Sequence, residues 1–239
     1  MTHGAALTAA ALTLALGALA LALAAWAGLG ADFAGRALAV FVVGAAIVLA
    51  TLPADHPHPR FGPANQVTLA RLALAALLAG LLGEPVSGAL AWIAVAVAAL
   101  AALLDAVDGP IARRTGLTSV FGARFDMETD AVLMLALAAL AWQLGKAGPW
   151  ILLAGMLRYL FVGAGRVSHW LARPLPPSLR RKTACVVQIV ALVACLAPIV
   201  PHPASAALAG TALALLSYSF AVDVAWLRRH AREPLLEAA

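Results

Sequence analysis

Long apolar stretches recur along almost the whole chain, separated by short polar connections rich in Pro and Gly. Each stretch is close to 20 residues long, which is the length that an α-helix needs to cross a hydrocarbon core about 30 Å thick. Membrane β-strands would instead appear as alternating segments of about ten residues. The pattern therefore predicts an all-α integral membrane protein with about eight spans, over residues 6–28, 37–53, 66–83, 88–107, 126–145, 148–165, 183–200 and 205–227.

The composition excludes two other classes of protein. Of the 239 residues, 64% are hydrophobic and only 11% are charged, whereas an ordinary soluble domain is about 45–50% apolar and about 25% charged. So few charges could not cover the surface of a soluble globule of this size, and a disordered chain requires low hydrophobicity. We therefore expect the lipid bilayer to be the main partner of this chain.

The basic residues are distributed unevenly between the two sides of the predicted bundle. With eight spans and an inside N-terminus, the outer connections contain only Arg36 and Lys146, whereas the inner connections and the C-terminal tail contain most of the other basic residues. This positive-inside bias places both termini and the region around Asp105 at the cytoplasmic face, and it explains the net charge of +5 without a nucleic-acid partner. The Ala- and Arg-rich composition suits a bacterial inner membrane. The first stretch could also be a cleaved signal peptide, although it lacks a basic leading region.

A Pro- and His-rich stretch over residues 54–64 is predicted to be a linker. Before it, residues 1–53 form two predicted transmembrane helices to which the sequence assigns no role. After it, residues 65–239 form a predicted six-helix unit. This unit contains almost all of the charged residues that lie within or beside the apolar stretches. The chain is therefore predicted to divide into an N-terminal pair of helices and a larger functional domain.

Four aspartates with helical spacing lie on either side of one short connection. Asp105 and Asp108 are three residues apart and share a helix face, and Asp126 and Asp130 are four apart at the start of the next helix. The two helices are predicted to be antiparallel neighbours joined by a short loop, so that the pairs can face each other across a helix hairpin. Carboxylates so close together repel one another unless cations balance them, and all-oxygen sites favour Mg²⁺ or Mn²⁺. The spacing predicts a site for two divalent cations, an arrangement suited to phosphoryl transfer.

The residues between these pairs suit a phosphate-containing ligand. Gly109 allows a ligand to approach the backbone, and Ala112 is small. Arg113 provides a planar set of donors that matches phosphate. Gly122 leaves room near the start of the second helix.

From Asp105 to Asp130 the chain reads D-x2-D-G-x2-A-R-x8-G-x3-D-x3-D. This pattern resembles the signature of the CDP-alcohol phosphotransferase (CDP-alcohol phosphatidyltransferase) family at all eight fixed positions. The resemblance covers about residues 65–239, which would form the family's six-helix bundle, preceded here by two additional N-terminal transmembrane helices in place of the family's usual interfacial helix. The start of the third apolar stretch also looks like the family's first core helix, through Asn65, Thr68 and Arg71.

The resemblance implies a metal-dependent enzyme of phospholipid biosynthesis. Such enzymes transfer a substituted phosphate from a CDP-alcohol, often CDP-diacylglycerol, to the hydroxyl of a small or lipid alcohol and release CMP. By the family pattern Asp105, Asp108, Asp126 and Asp130 hold the cations, and Asp130 is the base that deprotonates the acceptor. Family members commonly form homodimers. The implied CDP-binding residues are Gly109, Ala112, Arg113, Gly122, Asn65, Thr68 and Arg71.

A second basic group flanks the inner ends of the sixth and seventh stretches. One interpretation is an acceptor pocket for a phosphorylated alcohol such as glycerol 3-phosphate, and the other is positive-inside anchoring to anionic headgroups. Serine, inositol, phosphatidylglycerol and amino-alcohols also stay open as acceptors. The residues assigned to the pocket are Arg158, Arg166, Arg181 and Lys182.

Two acidic residues outside the motif are interpreted as structural. Glu128 points away from Asp126 on the same helix and is expected to be solvated or paired with an arginine. Asp223 is expected to pair with the nearby Arg228 and Arg229.

Two other functional classes were weighed against a transferase. A membrane prenyltransferase also uses Asp-rich metal sites, but its motifs lie far apart in the chain, unlike these. A non-enzymatic metal-binding or transport protein would need carboxylates along a central pathway rather than at one interface. The transport protein is kept as the alternative from another class.

Overall fold

The computed structural model describes residues 2–30, 32–55, 58, 60–86 and 88–231, and this part of the chain is helical without β-strands. The predicted all-α class is thus confirmed. Three positions of the predicted linker (56, 57 and 59) and the C-terminal tail 232–239, expected to be cytoplasmic, lie outside the described residues. The eight long helices are α1 (Thr2–Ala27), α2 (Asp32–Asp55), α3 (Pro63–Gly80), α4 (Gly88–Thr115), α5 (Val120–Gln143), α6 (Leu153–Val167), α7 (Leu179–Leu196) and α8 (Ala204–Arg229), with 3₁₀ turns at Pro149–Leu152 and His169–Ala172.

Five described segments are long and apolar enough to cross a membrane, so the chain is an integral membrane protein by length and composition. They are Thr2–Ala27, Asp32–Leu52, Gly88–Thr115, Pro149–Val167 and Ala204–Arg229. The remaining three long helices, α3, α5 and α7, each carry several polar or charged residues near their N-terminal ends. The predicted count of eight spans therefore stays a prediction.

Helix α3 occupies the centre of the bundle and packs against α1, α2, α4 and α5. Small residues allow the closest approaches between helices. At Gly80 a Cβ atom would lie 3.0 Å from the carbonyl oxygen of Phe33 on α2, and at Gly155 it would lie 2.6 Å from the Cα atom of Leu135 on α5. On the other side, α7 packs against α4, α5 and α8. The central position of α3 brings its polar N-terminal half between the two aspartate-bearing helices.

The expectation that α4 and α5 pack side by side as a hairpin is wrong for the described residues. Helix α3 packs along both of them, whereas α4 and α5 make little contact with each other. Helix α4 also continues past its predicted end at residue 107, through Pro110, to Thr115. Pro110 has no N–H to donate to the carbonyl four residues earlier, so the helix loses one internal hydrogen bond there. The helix ends at Gly116, which has the left-handed φ of 68° typical of such positions.

The N-terminal helices are attached to the rest of the bundle by a buried glutamate. Glu84, in the connection between α3 and α4, forms an ion pair with Arg36 of α2 and accepts a 2.9 Å hydrogen bond from the backbone N–H of Gly30. Arg36 also donates to the carbonyl of Gly80. The hydrogen bond from Gly30, followed by Arg36, lowers the pKa of Glu84. This contact lies at the end of α3 opposite to its polar half.

Candidate active site

Carboxylates from α4 and α5 converge at the N-terminal half of α3. One oxygen from each of Asp105, Asp108 and Asp126 lies within 4.8 Å of the other two. Asp108 is buried, and Asp105 and Asp126 are half-buried. Asp130, one turn beyond Asp126, joins the same cluster through a shared arginine. The structure therefore brings the four predicted aspartates together, although helix α3, rather than the α4–α5 connection alone, determines how they meet.

The shared arginine is Arg71 of α3, whose side chain is fully buried at 0% exposure. Its Nη1 lies 2.9 Å from Asp108 and 2.5 Å from Asp126. Its Nη2 lies 2.7 Å from Asp105 and also pairs with Asp130. Its Nε donates to the carbonyl of Ala101 at 3.2 Å. The guanidinium thus makes hydrogen bonds to Ala101 and three of the aspartates and an ion pair with Asp105.

Two other polar residues of α3 extend this arrangement. Thr68 donates a hydrogen bond to a carboxylate oxygen of Asp108 at 3.2 Å. Asn65 is buried, and its amide donates to the carbonyl of Phe61. Asn65, Thr68 and Arg71 thus line one side of α3, three residues apart, and two of them contact the aspartates. Sequence reasoning linked these residues to CDP, and their direct contacts here are with the carboxylate cluster and the local backbone.

The donor chemistry of this cluster fits a divalent cation. Four carboxylates face a single guanidinium, so the ionised cluster keeps an excess of negative charge within a largely buried site. Oxygen ligands from carboxylates are those that Mg²⁺ and Mn²⁺ prefer. Asp105, Asp108 and Asp126 could each supply one such oxygen. The arrangement can therefore hold a metal ion beside Arg71.

The small residues of the motif lie on helices rather than in a loop. Gly109 and Ala112 are half-buried on the last turns of α4, and a Cβ atom at Gly109 would lie 3.4 Å from an Nη atom of the exposed Arg113. Gly122 lies in the first turn of α5, where Ser119 caps the helix by accepting its backbone N–H. A Cβ atom at Gly122 would lie 3.0 Å from the amide oxygen of Asn65. Gly122 is thus needed for the close approach of α5 to α3.

The residues predicted to bind an acceptor have different surroundings. Arg158 of α6 lies 2.5 Å from Glu128 of α5, which confirms that Glu128 is paired with an arginine. Arg166 and Lys182 are exposed, and no ion-pair partner for either is found within the described part of the chain. The structure does not gather all four predicted residues into one pocket.

Arg181 belongs to a separate cluster between α7 and α8. Asp223 of α8 accepts from Arg180 and, at 3.1 Å, from Arg181. Arg180 also donates to the carbonyl and hydroxyl oxygens of Ser219, and Arg181 donates to the carbonyl of Pro176. The expected pairing of Asp223 with Arg228 and Arg229 is therefore wrong, because helix packing brings the N-terminus of α7 closer to it.

Sequence reasoning did not single out Gln188 of α7. Its side chain is fully buried, and both of its amide atoms lack a hydrogen-bond partner. Leaving such a group unpaired costs about 1–3 kcal/mol. It lies three residues after Cys185, which is within electrostatic range of Asp105 and Asp130. The only signal in the sequence is a single amide within an apolar run.

Comparison with models of protein families matches residues 61–222 to the family described as CDP-alcohol phosphatidyltransferase. The match begins just before α3 and ends within α8, so it includes the aspartate cluster and leaves out α1 and α2. No curated protein matches the chain, and no solved structure matches it.

Proposed function

The chain belongs to the CDP-alcohol phosphatidyltransferase family, and from that premise we propose that it transfers a phosphatidyl group from CDP-diacylglycerol to an acceptor alcohol at its aspartate cluster. The family itself establishes a transferase of lipid synthesis that uses a CDP-alcohol. The observation that carries the proposal is the convergence of Asp105, Asp108 and Asp126 within 4.8 Å. Such a cluster suits a substrate whose diphosphate must be neutralised in a site with little water.

In the proposed reaction, Asp130 accepts the proton of the acceptor hydroxyl. The acceptor oxygen then forms a bond to the β-phosphorus of the donor, and the bond from that phosphorus to CMP breaks, so that CMP leaves with the electron pair. Asp130 suits this role because its carboxylate is largely enclosed and is oriented by Arg71. Arg71 and Thr68 hold the carboxylates in place, and Arg113 binds the donor phosphates together with the backbone near Gly109.

The proposed cofactors are two divalent cations, Mg²⁺ or Mn²⁺, held by Asp105, Asp108 and Asp126, with Asp130 adjacent. When bound, the cations supply positive charge that balances the donor diphosphate and the departing CMP. The proposed location is a bacterial inner membrane, with the cluster and both termini on the cytoplasmic side, where a soluble acceptor has access. A homodimer is the proposed assembly, following the habit of the family.

The proposed acceptor is a phosphorylated alcohol such as glycerol 3-phosphate. Arg166 and Lys182 are exposed and available to a phosphate, whereas Arg158 and Arg181 already have protein partners. An acceptor phosphate would therefore first meet Arg166 and Lys182, with Arg158 and Arg181 completing the site by exchanging partners. A non-phosphorylated acceptor would not need these basic residues. Replacing them should therefore impair transfer to a phosphorylated acceptor and leave transfer to a non-phosphorylated one unchanged.

The decisive experiment measures CMP release by the purified full-length protein in proteoliposomes. CDP-diacylglycerol is offered with each acceptor in turn, with MgCl₂ or with EDTA. We expect release only with a divalent cation, and a loss of at least about 100-fold in Asp108→Asn. Asp32→Asn, the same change at an exposed position on α2 far from the cluster, should behave as the wild type.

The same proteoliposomes test the alternative function. Uptake of Mn²⁺ into the vesicles without CMP release from any donor would contradict the transferase and support a metal transporter. Release of CMP without metal uptake would exclude the transporter.

A further inference from the structure

An apolar groove of about 240 Å³ lies between the N-terminal helix α1 and helices α3 and α4. Its lining includes Leu12, Ala15 and Leu19 of α1, Ala70 and Leu74 of α3, and Leu104 of α4. No polar residue contributes to the lining. The groove therefore offers a surface to a hydrocarbon ligand, and one of its walls is a helix outside the region that matches the family.

One end of this groove is level with the aspartate cluster. Ala70 and Leu104 immediately precede Arg71 and Asp105, and consecutive helical residues rise by only about 1.5 Å. From Ala70 the lining continues along α3 to Leu77, roughly 10 Å further from the cluster. A ligand that occupies both places must have a charged head at the carboxylates and an apolar tail beside α1.

We propose that the groove binds an acyl chain of the CDP-activated lipid donor while its diphosphate lies at the aspartates. This inference rests on the proposed function, since it requires a donor with acyl chains. Bilayer lipid is as apolar as the groove, so the groove adds little hydrophobic free energy. Its contribution is positioning, because a chain held along α3 restricts where the diphosphate can lie. The two N-terminal helices thereby acquire a function, with α2 packing α1 against α3.

The experiment compares two donors that differ in chain length. Ala15→Phe places a ring in the groove from an exposed position on α1, where the larger side chain has room. Ala10→Phe is the matched control, since Ala10 is also exposed and lies about 140° around the helix from Ala15. The donors are CDP-diacylglycerol with 16-carbon chains and the same compound with 4-carbon chains, which are too short to reach along the groove.

We expect Ala15→Phe to lower kcat/KM about tenfold for the long-chain donor and to leave that for the short-chain donor unchanged. Ala10→Phe should leave both unchanged. An equal loss with both donors, or no loss with either, would overturn the groove assignment while the transferase function stood. Bilayer lipid alone in the groove corresponds to the second of these outcomes.

A second measurement does not depend on turnover. A long-chain donor with a diazirine in the middle of one acyl chain should crosslink to α1 or α3 in the wild type and much less in Ala15→Phe. Crosslinking to α1 or α3 without CMP release would contradict the proposed function but would still support binding of an acyl chain in the groove. Crosslinks confined to α6, α7 or α8 would place the chain elsewhere and overturn the inference.

Discussion

Two clusters of arginine and aspartate in this bundle have opposite charge balance. Around Arg71, one guanidinium faces four carboxylates, whereas around Asp223 two guanidiniums face one carboxylate. In the second cluster the surplus donors find neutral partners, Ser219 and Pro176, in the same chain. In the first, the surplus charge is negative, because all four carboxylates share Arg71.

This difference distinguishes a cluster that could hold a cation from a structural contact. A backbone carbonyl or a hydroxyl can satisfy an extra arginine donor, so the α7–α8 cluster is complete as it stands and joins the two helices. Neutral donors can satisfy carboxylates in the same way, as Thr68 does for Asp108. The clusters differ in the size of the imbalance, since four carboxylates share one guanidinium in the first and one carboxylate faces two guanidiniums in the second. The larger, negative imbalance is the one that a divalent cation would neutralise.

The largest expected effect tests the chemistry of the first cluster. Asp130→Asn should lower kcat by about 10²–10⁴-fold, because the acceptor hydroxyl loses its base. The KM for CDP-diacylglycerol should change little, since the other three aspartates remain. Steady-state CMP release over a range of donor concentrations measures both constants, with Asp32→Asn as the control. Turnover at the wild-type rate would remove Asp130 from the base role.

Removing the single positive charge of the first cluster should make the fold depend on metal. Arg71→Gln leaves four carboxylates without a buried counter-charge, and breaking such a buried pair costs about 3–5 kcal/mol. We expect a clear fall in Tm in EDTA and a larger rise on addition of MgCl₂ than in the wild type. Thermal unfolding in detergent measures both. Arg180→Gln in the second cluster should lower Tm without any such dependence on MgCl₂.

If MgCl₂ raised the Tm of Arg71→Gln and of the wild type by the same amount, Arg71 would not stabilise the fold by offsetting the charge of the carboxylates. If nucleotide affinity fell instead, Arg71 would act on the donor rather than on the aspartates.

A smaller effect is expected at the exposed basic residues. Replacing both Arg166 and Lys182 by Gln should raise the KM for glycerol 3-phosphate about tenfold, or ~1.4 kcal/mol, without changing the donor KM. Because Arg181 is already paired with Asp223, Arg181→Gln should also lower Tm. Equal increases in the two KM values in the double variant would contradict an acceptor site at these residues.

The smallest effect is expected at the Arg36–Glu84 ion pair, which has one charge of each sign. It therefore serves as a reference for the two clusters, whose charges are unequal in number. Glu84→Gln weakens one contact with Arg36 and should cost about 1 kcal/mol at pH 7. Because the pKa of Glu84 is lowered in the folded state, the stability from this pair is present above about pH 4.3, its ordinary pKa, and is lost as the pH falls through the lowered value.

Thermal unfolding at pH 7 and at successively lower pH values would reveal this loss. The Tm difference between wild type and Glu84→Gln should shrink on acidification and should be the same with MgCl₂ and EDTA. A difference that grew towards acid pH would contradict the assignment.

Much of the fold was predictable because it depends on local properties. The apolar runs predicted every long helix, including α1 and α2, although α4 extends eight residues beyond its predicted end at 107. That difference arose because the predicted span followed the apolar run, whereas the helix continues through the polar residues after it. The four aspartates were predicted from spacing alone, because residues three or four apart on a helix share a face.

The partners of these residues were less predictable because they come from distant parts of the chain. Arg71 is separated by 34 to 59 residues from the aspartates it contacts, as the residue numbers show. Asp223 was expected to pair with arginines five or six residues away, and it pairs instead with Arg180 and Arg181 across a helix interface. Local spacing carries no information about which helix lies between two others.

By itself, the sequence determined that this is a helical membrane protein, that its negative charge is concentrated in one motif, and that the motif is that of a CDP-alcohol phosphatidyltransferase. The first two properties follow from composition and from the 3.6-residue period, which are the same whatever the packing, and the third follows from the resemblance of the motif to the family signature and the match over residues 61–222. Only the tertiary structure decided that α3 lies between α4 and α5, that Arg71 pairs with all four aspartates of the cluster, and that α1 forms one wall of a groove beside it. Those outcomes depend on which helices fit closely together, through residues such as Gly80 and Gly122, and that fit is a property of surfaces brought together from the whole chain.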